Sequence, residues 1–380
     1  MIQVFKTDEQ YVKWLNGQTL PSGIVVYVSD DETMYFSTNN IKGELKTYKC
    51  EKEEPIIYPP LVYSAKSAGS TITVNGETVT LEQGDNITLD YPNEITSVKA
   101  SKNKALTYIQ IPNTVTSIED GDRRGGAFYR CTALASVSLP DTMTSIGDYA
   151  FNECNALASV TLPEGVTSIG EGAFNYCTSL SSVTIPEGVT SISPLTFNSC
   201  NALASVTLPN SLISIDRQAF GSCSSLVSIT IPEGVTSIGK SAFDSCKSLL
   251  SITIPSGVTS IGDWAFNGCS ALASVSLPDT ITSIGVGVLI GCTSLASITI
   301  PETVTSIGDY AFSGCYALVS ITIPSGVTSI GSQAFNNCSR LNDFNFNGTM
   351  EQWGAITLGT DWKNNARFTV VHCTDGDVTL

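Results

Sequence analysis

The chain has 380 residues and a formal net charge of −16, and between Leu134 and Arg340 only Arg217, Lys240, Lys247 and Arg340 are basic. Phosphate neutralisation needs clustered Lys and Arg, so no nucleic-acid partner is expected. No stretch approaches the ~18 consecutive apolar residues of a membrane-spanning helix, so no transmembrane segment is expected either. The acidity serves either the solubility of a long β-structure or an acidic binding surface.

In chain order, Thr7 with Gln10 three residues later and Gly17 beyond predicts a short helix from Thr7 to Asn16. Ile24–Val28 and Met34–Phe36 flank the polar turn Ser29–Glu32 and predict a hairpin, to which Lys46–Cys50 adds a third strand. The charged, proline-bearing stretch Glu51–Pro55 closes this module, which makes residues 1–55 a small α+β unit. The start of the chain lacks the basic-then-apolar layout of a secretory signal. Either such a segment was removed, or the protein leaves its cell by another route, or it stays inside. Next, Thr71–Val74 and Thr78–Leu81 surround Asn75-Gly76, the strongest short hairpin signal, which makes residues 56–94 a hairpin linker module.

From residue 95 a repeat emerges. Tyr91–Val98 is a degraded copy, and Leu106–Ala133 is the first good one, enlarged by five residues at Asp120–Gly126. That insertion must loop out, because the core positions on either side keep their identities. Asp120 and Asp122 lack the further spaced carboxylates of a calcium loop and are expected to be solvated. Then a 23-residue unit is written nine times without a slip, opening at Leu134, Leu157, Leu180, Leu203, Leu226, Leu249, Leu272, Leu295 and Leu318. These copies are coils one to nine below. A fixed period of this length predicts a solenoid. In each unit Leu-x-Ser-Val/Ile-Thr/Ser-Leu/Ile alternates apolar and small polar residues as a half-buried strand does, and a proline ends it. Val-Thr-Ser-Ile-Gly follows as a second extended stretch. Ala-Phe-x-x-Cys then reads as one tight turn of 3₁₀- or α-helix. No coil buries enough to stand alone, so stability comes from neighbour-to-neighbour stacking.

The pattern Leu-x-x-Val/Ile-x-Leu/Ile-Pro-x-x-Val-Thr-Ser-Ile-Gly-x-x-Ala-Phe-x-x-Cys resembles the leucine-rich repeats of the BspA-like family, the treponemal type, over roughly Leu106–Leu341. The resemblance implies a mainly β, right-handed leucine-rich-repeat solenoid over 95–341, with parallel strands and short helical turns. It also implies a protein-binding and adhesive role at a cell surface or outside the cell, no cofactor, and no catalytic residues to carry over. Residues 342–380 resemble the closing segment of that family: Thr349 and Gln352 fit a helix N-terminus, and Trp353, Ile356, Trp362, Phe368 and Val370 supply bulk for a cap.

Ten of the twelve cysteines fall at one coil position: Cys131, Cys154, Cys177, Cys200, Cys223, Cys246, Cys269, Cys292, Cys315 and Cys338. They must form a ladder of equivalent rungs, and equivalence argues for buried free thiols instead of pairs. A single histidine, His372, and no Cys-x-x-Cys argue against a metal site. No Ser, Cys or acid pattern beside His372 makes a triad, and no glycine loop cradles phosphate, so no enzyme is expected.

Binding is the natural use of a stacked surface. The outward residues of the first strand are nearly invariant hydroxyls, so discrimination must come from the turn region, where Tyr149, Trp264 and Tyr310 share one coil position with Tyr176 and Tyr316 nearby. These aromatics either anchor a protein or glycan ligand or lie flat over their own turns. Coil seven differs again, with Val286 and Ile290 at positions that are polar in most copies: a contact patch, or a repacking around its lost phenylalanine. A second reading is a phage fibre or decoration protein attached through residues 1–55, because Gly23–Tyr35 is similar to N-terminal modules of phage structural proteins. In either case the N-terminal region is a candidate contact for homo-oligomers.

Overall fold

The structure, a computed structural model, describes residues 60–89 and 94–380 and the backbone of three short strands before them. The chain divides into two compact units, Met1–Ile57 and Tyr58–Leu380. In the first, Val25–Val28, Met34–Ser37 and Thr47–Cys50 form an antiparallel sheet in that order, the hairpin and third strand the sequence predicts. The helix expected at Thr7–Asn16 lies outside the described residues.

The second unit is a mainly β solenoid. Most coils contribute to two parallel ladders, and coils five and eight only to the second. The register repeats the sequence period: Ser136 pairs with Ser159 and Val137 with Val160 in the main ladder, Ser145 with Ser168 and Ile146 with Ile169 in the second. Equivalent residues therefore stack in columns. Rings of Phe128, Phe151, Phe174, Phe197, Phe220, Phe243 and Phe266 are fully buried and stacked with centroids 5.0 to 5.6 Å apart. Coil seven interrupts this column with Leu289, and stacking resumes at Phe312 and Phe335.

Ala-Phe-x-x-Cys is not helical, which corrects the expected helical turn. Its N–H groups alternate in direction. Those of Ala150, Asn152 and Cys154 donate three residues back, to Gly147, Tyr149 and Phe151, whereas those of Tyr149, Phe151 and Glu153 donate across to Glu171, Ala173 and Asn175 of the next coil. The alternation needs left-handed backbone at two positions four apart, such as Tyr149 (φ 52°) and Glu153 (φ 61°), or Leu195 (φ 60°) and Ser199 (φ 61°). For a non-glycine residue that conformation costs about 1 kcal/mol or more, which the crossing hydrogen bonds offset. Beside the turn, most coils carry glycine where space is short: a Cβ on Gly147 would sit 2.5 Å from the amide nitrogen of Asp120 in the preceding coil. Coils three and four carry Ser193 and Asp216 at this position and still pair in register, so the position favours glycine without demanding it.

The cysteine column is buried and its thiols are free. Each donates to a carbonyl of the preceding coil, for example Cys177 Sγ to Phe151 O at 3.2 Å and Cys223 Sγ to Phe197 O at 3.2 Å. The thiol thus does what no backbone group is placed to do, adding a second donor to a carbonyl that already accepts one turn bond.

Both ends of the main ladder turn antiparallel. At the start, Leu61–Ala65 lies between Leu106–Gln110 and Gly84–Leu89, antiparallel to both. The predicted hairpin is present as Thr71–Val74 and Glu77–Thr80, with Asn75 (φ 49°) and Gly76 (φ 83°) both left-handed as a type I′ turn demands. At the end, Asp343–Phe346 and Val370–Cys373 extend the ladder and Gly376–Thr379 closes it antiparallel. The expected capping helix spans Met350–Gly354, with Thr349 and Gln352 exchanging both capping-box hydrogen bonds. Phe344, Trp353, Trp362 and Phe368 cover the last coil as one aromatic cluster.

Candidate binding surface

Three surfaces run the length of the solenoid. The main sheet presents exposed Ser and Thr, such as Ser182 with Thr184 and Ser251 with Thr253, with no charged residue in these columns from coil one to coil nine. On the second sheet most threonine hydroxyls are spent internally, donating to the carbonyl one coil back, as Thr259 Oγ1 does to Thr236 O at 3.3 Å. The third surface, the turn edge, carries most of the variation.

The turn-edge candidates do not form one patch, because they lie on coils one, two, six, seven and eight. Tyr149 is buried, and its hydroxyl donates to Glu171 and accepts from Arg123 Nε at 3.4 Å. Burial pushes that hydroxyl's pKa up, and the Glu171 contact adds to the rise. The ring covers Gly172 of the next coil, where a Cβ would collide with it. Trp264 is half-buried and covers Gly287 in the same way, with the Lys240 ammonium 4.4 Å above its ring. Tyr310, at the third equivalent position, faces Gln333 instead of a glycine and is 37% exposed. Tyr176 and Tyr316 are about half exposed, at 47% and 49%.

Val286 and Ile290 are half-buried. The neighbour that refills the space of the missing ring is Val288, which is buried where other coils mostly carry alanine. Ile290 also stands in a column of mostly polar residues, in which Asn175 Nδ2 donates to Asn152 Oδ1 at 3.1 Å and Asn267 Nδ2 to Asp244 Oδ1 at 2.7 Å.

Beside these residues runs a groove of about 470 Å³ lined by Asp263, Val286, Ser306, Asp309, Ser332 and the backbone of Gly285, Gly308 and Gly331. One carboxylate oxygen of each aspartate is committed, accepting from Val286 N at 2.9 Å and from Ser332 N at 2.6 Å. Within the nine coils sequence reasoning missed four exposed apolar residues, Ile213, Val227, Leu250 and Val319. Their signal was available: Val227, Leu250 and Val319 follow the opening leucine where most copies carry alanine, and Ile213 replaces a second-sheet threonine. Among the described residues no cluster of His, Cys, Asp and Glu is arranged to hold a metal ion, and no helix is long and apolar enough to cross a membrane.

The family model described as the BspA type leucine rich repeat region matches residues 93–227, 190–315 and 266–358, more than half of the chain, in six copies. A leucine rich cell surface protein from Faecalibacterium prausnitzii A2-165 is 31% identical over 88% of this chain and 97% of its own, with a TM-score of 0.42. A leucine-rich repeat protein from Bacteroides ovatus ATCC 8483 is similar in fold, with a TM-score of 0.53 at 24% identity over 90% of each chain. The T. pallidum leucine rich repeat protein is 36% identical over 42% of this chain and 78% of its own, with a TM-score of 0.41. No curated protein matches the chain.

Proposed function

This chain belongs to the BspA-type leucine-rich repeat family, and from that premise we propose that it is a non-enzymatic recognition and adhesion scaffold that holds a protein or glycan ligand at a cell surface or outside the cell. The observation that carries the reading is the division of labour within the coil. Columns of stacked Phe, Cys and Leu are fully buried and nearly invariant, so the outer surfaces are held rigid at no cost to the residues that differ between coils. Rigid presentation of variable side chains is what a binding surface needs, because less conformational entropy is lost when the ligand arrives. The turn edge supplies that variation, with Tyr176, Tyr310 and Tyr316 exposed on it.

Surface location is part of the proposal and follows the family and the cell-surface description of the Faecalibacterium protein. The virion alternative gains no support from the three solved relatives, which are bacterial leucine-rich repeat proteins. Self-association through residues 1–55 belongs to the same proposal and is checked by the solution mass of the intact chain. The main test presents the intact chain to glycan arrays, immobilised matrix proteins and whole cells. Saturable binding in at least one format is expected, and uniformly negative results would sink the reading.

A further inference from the structure

Tyr149, Trp264 and Tyr310 occupy one coil position, each directly after an aspartate: Asp148, Asp263 and Asp309. Two of the three aromatics already receive a cation from the chain itself. Arg123, from the inserted loop before coil one, reaches the Tyr149 hydroxyl. Lys240, one coil before Trp264, places its ammonium 4.4 Å from that ring. At Tyr310 the residue corresponding to Lys240 is Val286, which carries no charge, and among the described residues no Lys or Arg lies over the Tyr310 ring. Tyr310 is also the most exposed of the three. Asp309 beside it is exposed and fixed by its bond from Ser332 N, and the adjoining groove has no basic residue in its lining.

We propose that Asp309 and Tyr310 form an open seat for a lysine or arginine side chain of a protein partner, whose backbone lies along the groove past Val286, Ser306 and Ser332. The proposal rests on the recognition reading above and deepens it by naming the partner's chemistry. Three features favour a cation over a neutral sugar. At the equivalent position Lys240 lies over the Trp264 ring, so an aromatic held here can take a cation on its face. A ring face attracts an ammonium or guanidinium through its quadrupole, and the neighbouring carboxylate adds to that attraction. The groove bears two carboxylates and no positive charge on a chain of net charge −16, which steers a basic segment toward it.

The test uses the intact chain with ¹³C-labelled tyrosine rings, titrated with a short end-capped oligolysine peptide and, as control, an oligoglutamate peptide. Oligolysine is expected to shift the Tyr310 ring resonances and leave Tyr149 unmoved, while oligoglutamate shifts neither. Tyr310→Leu is a conformationally safe variant, since Leu195 holds the same left-handed position in coil three. It is expected to weaken oligolysine binding about two- to fivefold, the value of an exposed cation–π contact.

Val286→Lys should fill the seat from within as Lys240 does at Trp264, lowering oligolysine binding while the Tyr310 ring stays in place. Lys240→Ala should open the Trp264 seat and make its fluorescence respond to oligolysine. Equal binding by the wild type, Tyr310→Leu and Val286→Lys, or an unmoved Tyr310 ring at saturating peptide, would overturn the proposal. If the seat fails while the intact chain still binds in the array and cell assays, the recognition reading stands and its ligand sits elsewhere.

Discussion

Coil six and coil seven have the same length, the same strand register and the same buried Leu and Cys, yet their turns are built differently. Coil six carries Ala265-Phe266, with the ring stacked 5.6 Å from Phe243. Coil seven carries Val288-Leu289, both buried. Relative to coil six it gains bulk at the first position and loses bulk at the second. The pair therefore exchanges volume within one turn instead of leaving a hole, as volume-conserving swaps in a close-packed interior do. The comparison teaches that the coil conserves filled space and backbone path, and that the phenylalanine is one way of filling it.

The largest way to break that equivalence is to remove the ring where nothing compensates. Phe243→Ala opens a cavity between Phe220 and Phe266 and should cost about 3 to 5 kcal/mol. Because coils couple chiefly to their neighbours, calorimetry should show unfolding divided around coil five, and an unchanged melting profile would mean the column is not core.

A sharper test inserts the missing ring. Leu289→Phe alone should overpack against Val288 and cost about 1 to 3 kcal/mol. The double change Val288→Ala with Leu289→Phe restores the pair seen in coil six and should recover most of that loss, a coupling visible in denaturant titrations of the two single variants and the double. A single Leu289→Phe that raises stability would refute the volume exchange.

Smaller again is a contrast within coil seven between Gly287 (φ 58°) and Gly291 (φ 73°). Gly291→Ala meets only ordinary contacts and should cost about 1 kcal/mol for its left-handed backbone. Gly287→Ala carries the same backbone cost and also collides with Trp264, so it should destabilise more and change tryptophan fluorescence. Equal costs and unchanged fluorescence would show that the ring does not rest on the glycine.

The last test concerns the thiol column and is silent at neutral pH. Burial pushes the thiols of Cys200, Cys269 and Cys338 up to about 12 from an ordinary 9.0. A raised folded-state value means the unfolded chain loses its protons first. The contribution is therefore fully present below about pH 9 and is lost as pH rises toward 12. Melting temperature should be flat from neutrality to about pH 8.5 and fall steeply above it, and alkylation of the denatured, unreduced chain should label all ten ladder cysteines. Protected pairs would mean disulfides.

Much of this was legible in the residues because a solenoid converts sequence period directly into spatial columns. The 23-residue spacing alone places Cys177 beneath Cys200 and Phe174 beneath Phe197, and alternation within Leu-x-Ser-Val-Thr-Leu assigns inside and outside. Turn chemistry at Asn75-Gly76 and capping chemistry at Thr349 and Gln352 are local, and they too appear where the sequence puts them. Three things were decided only in three dimensions. The turn is not a helix, because half its N–H groups find better acceptors one coil away than within the turn. The aromatics share a column but not an environment: the next coil offers a glycine to Tyr149 and Trp264 and a glutamine to Tyr310, and the chain supplies a cation to the first two. Coil-to-coil contacts pair residues 22 to 26 apart, as in Tyr149 with Glu171 and Cys177 with Phe151. A single copy of the repeat cannot reveal what its neighbour brings to such a contact.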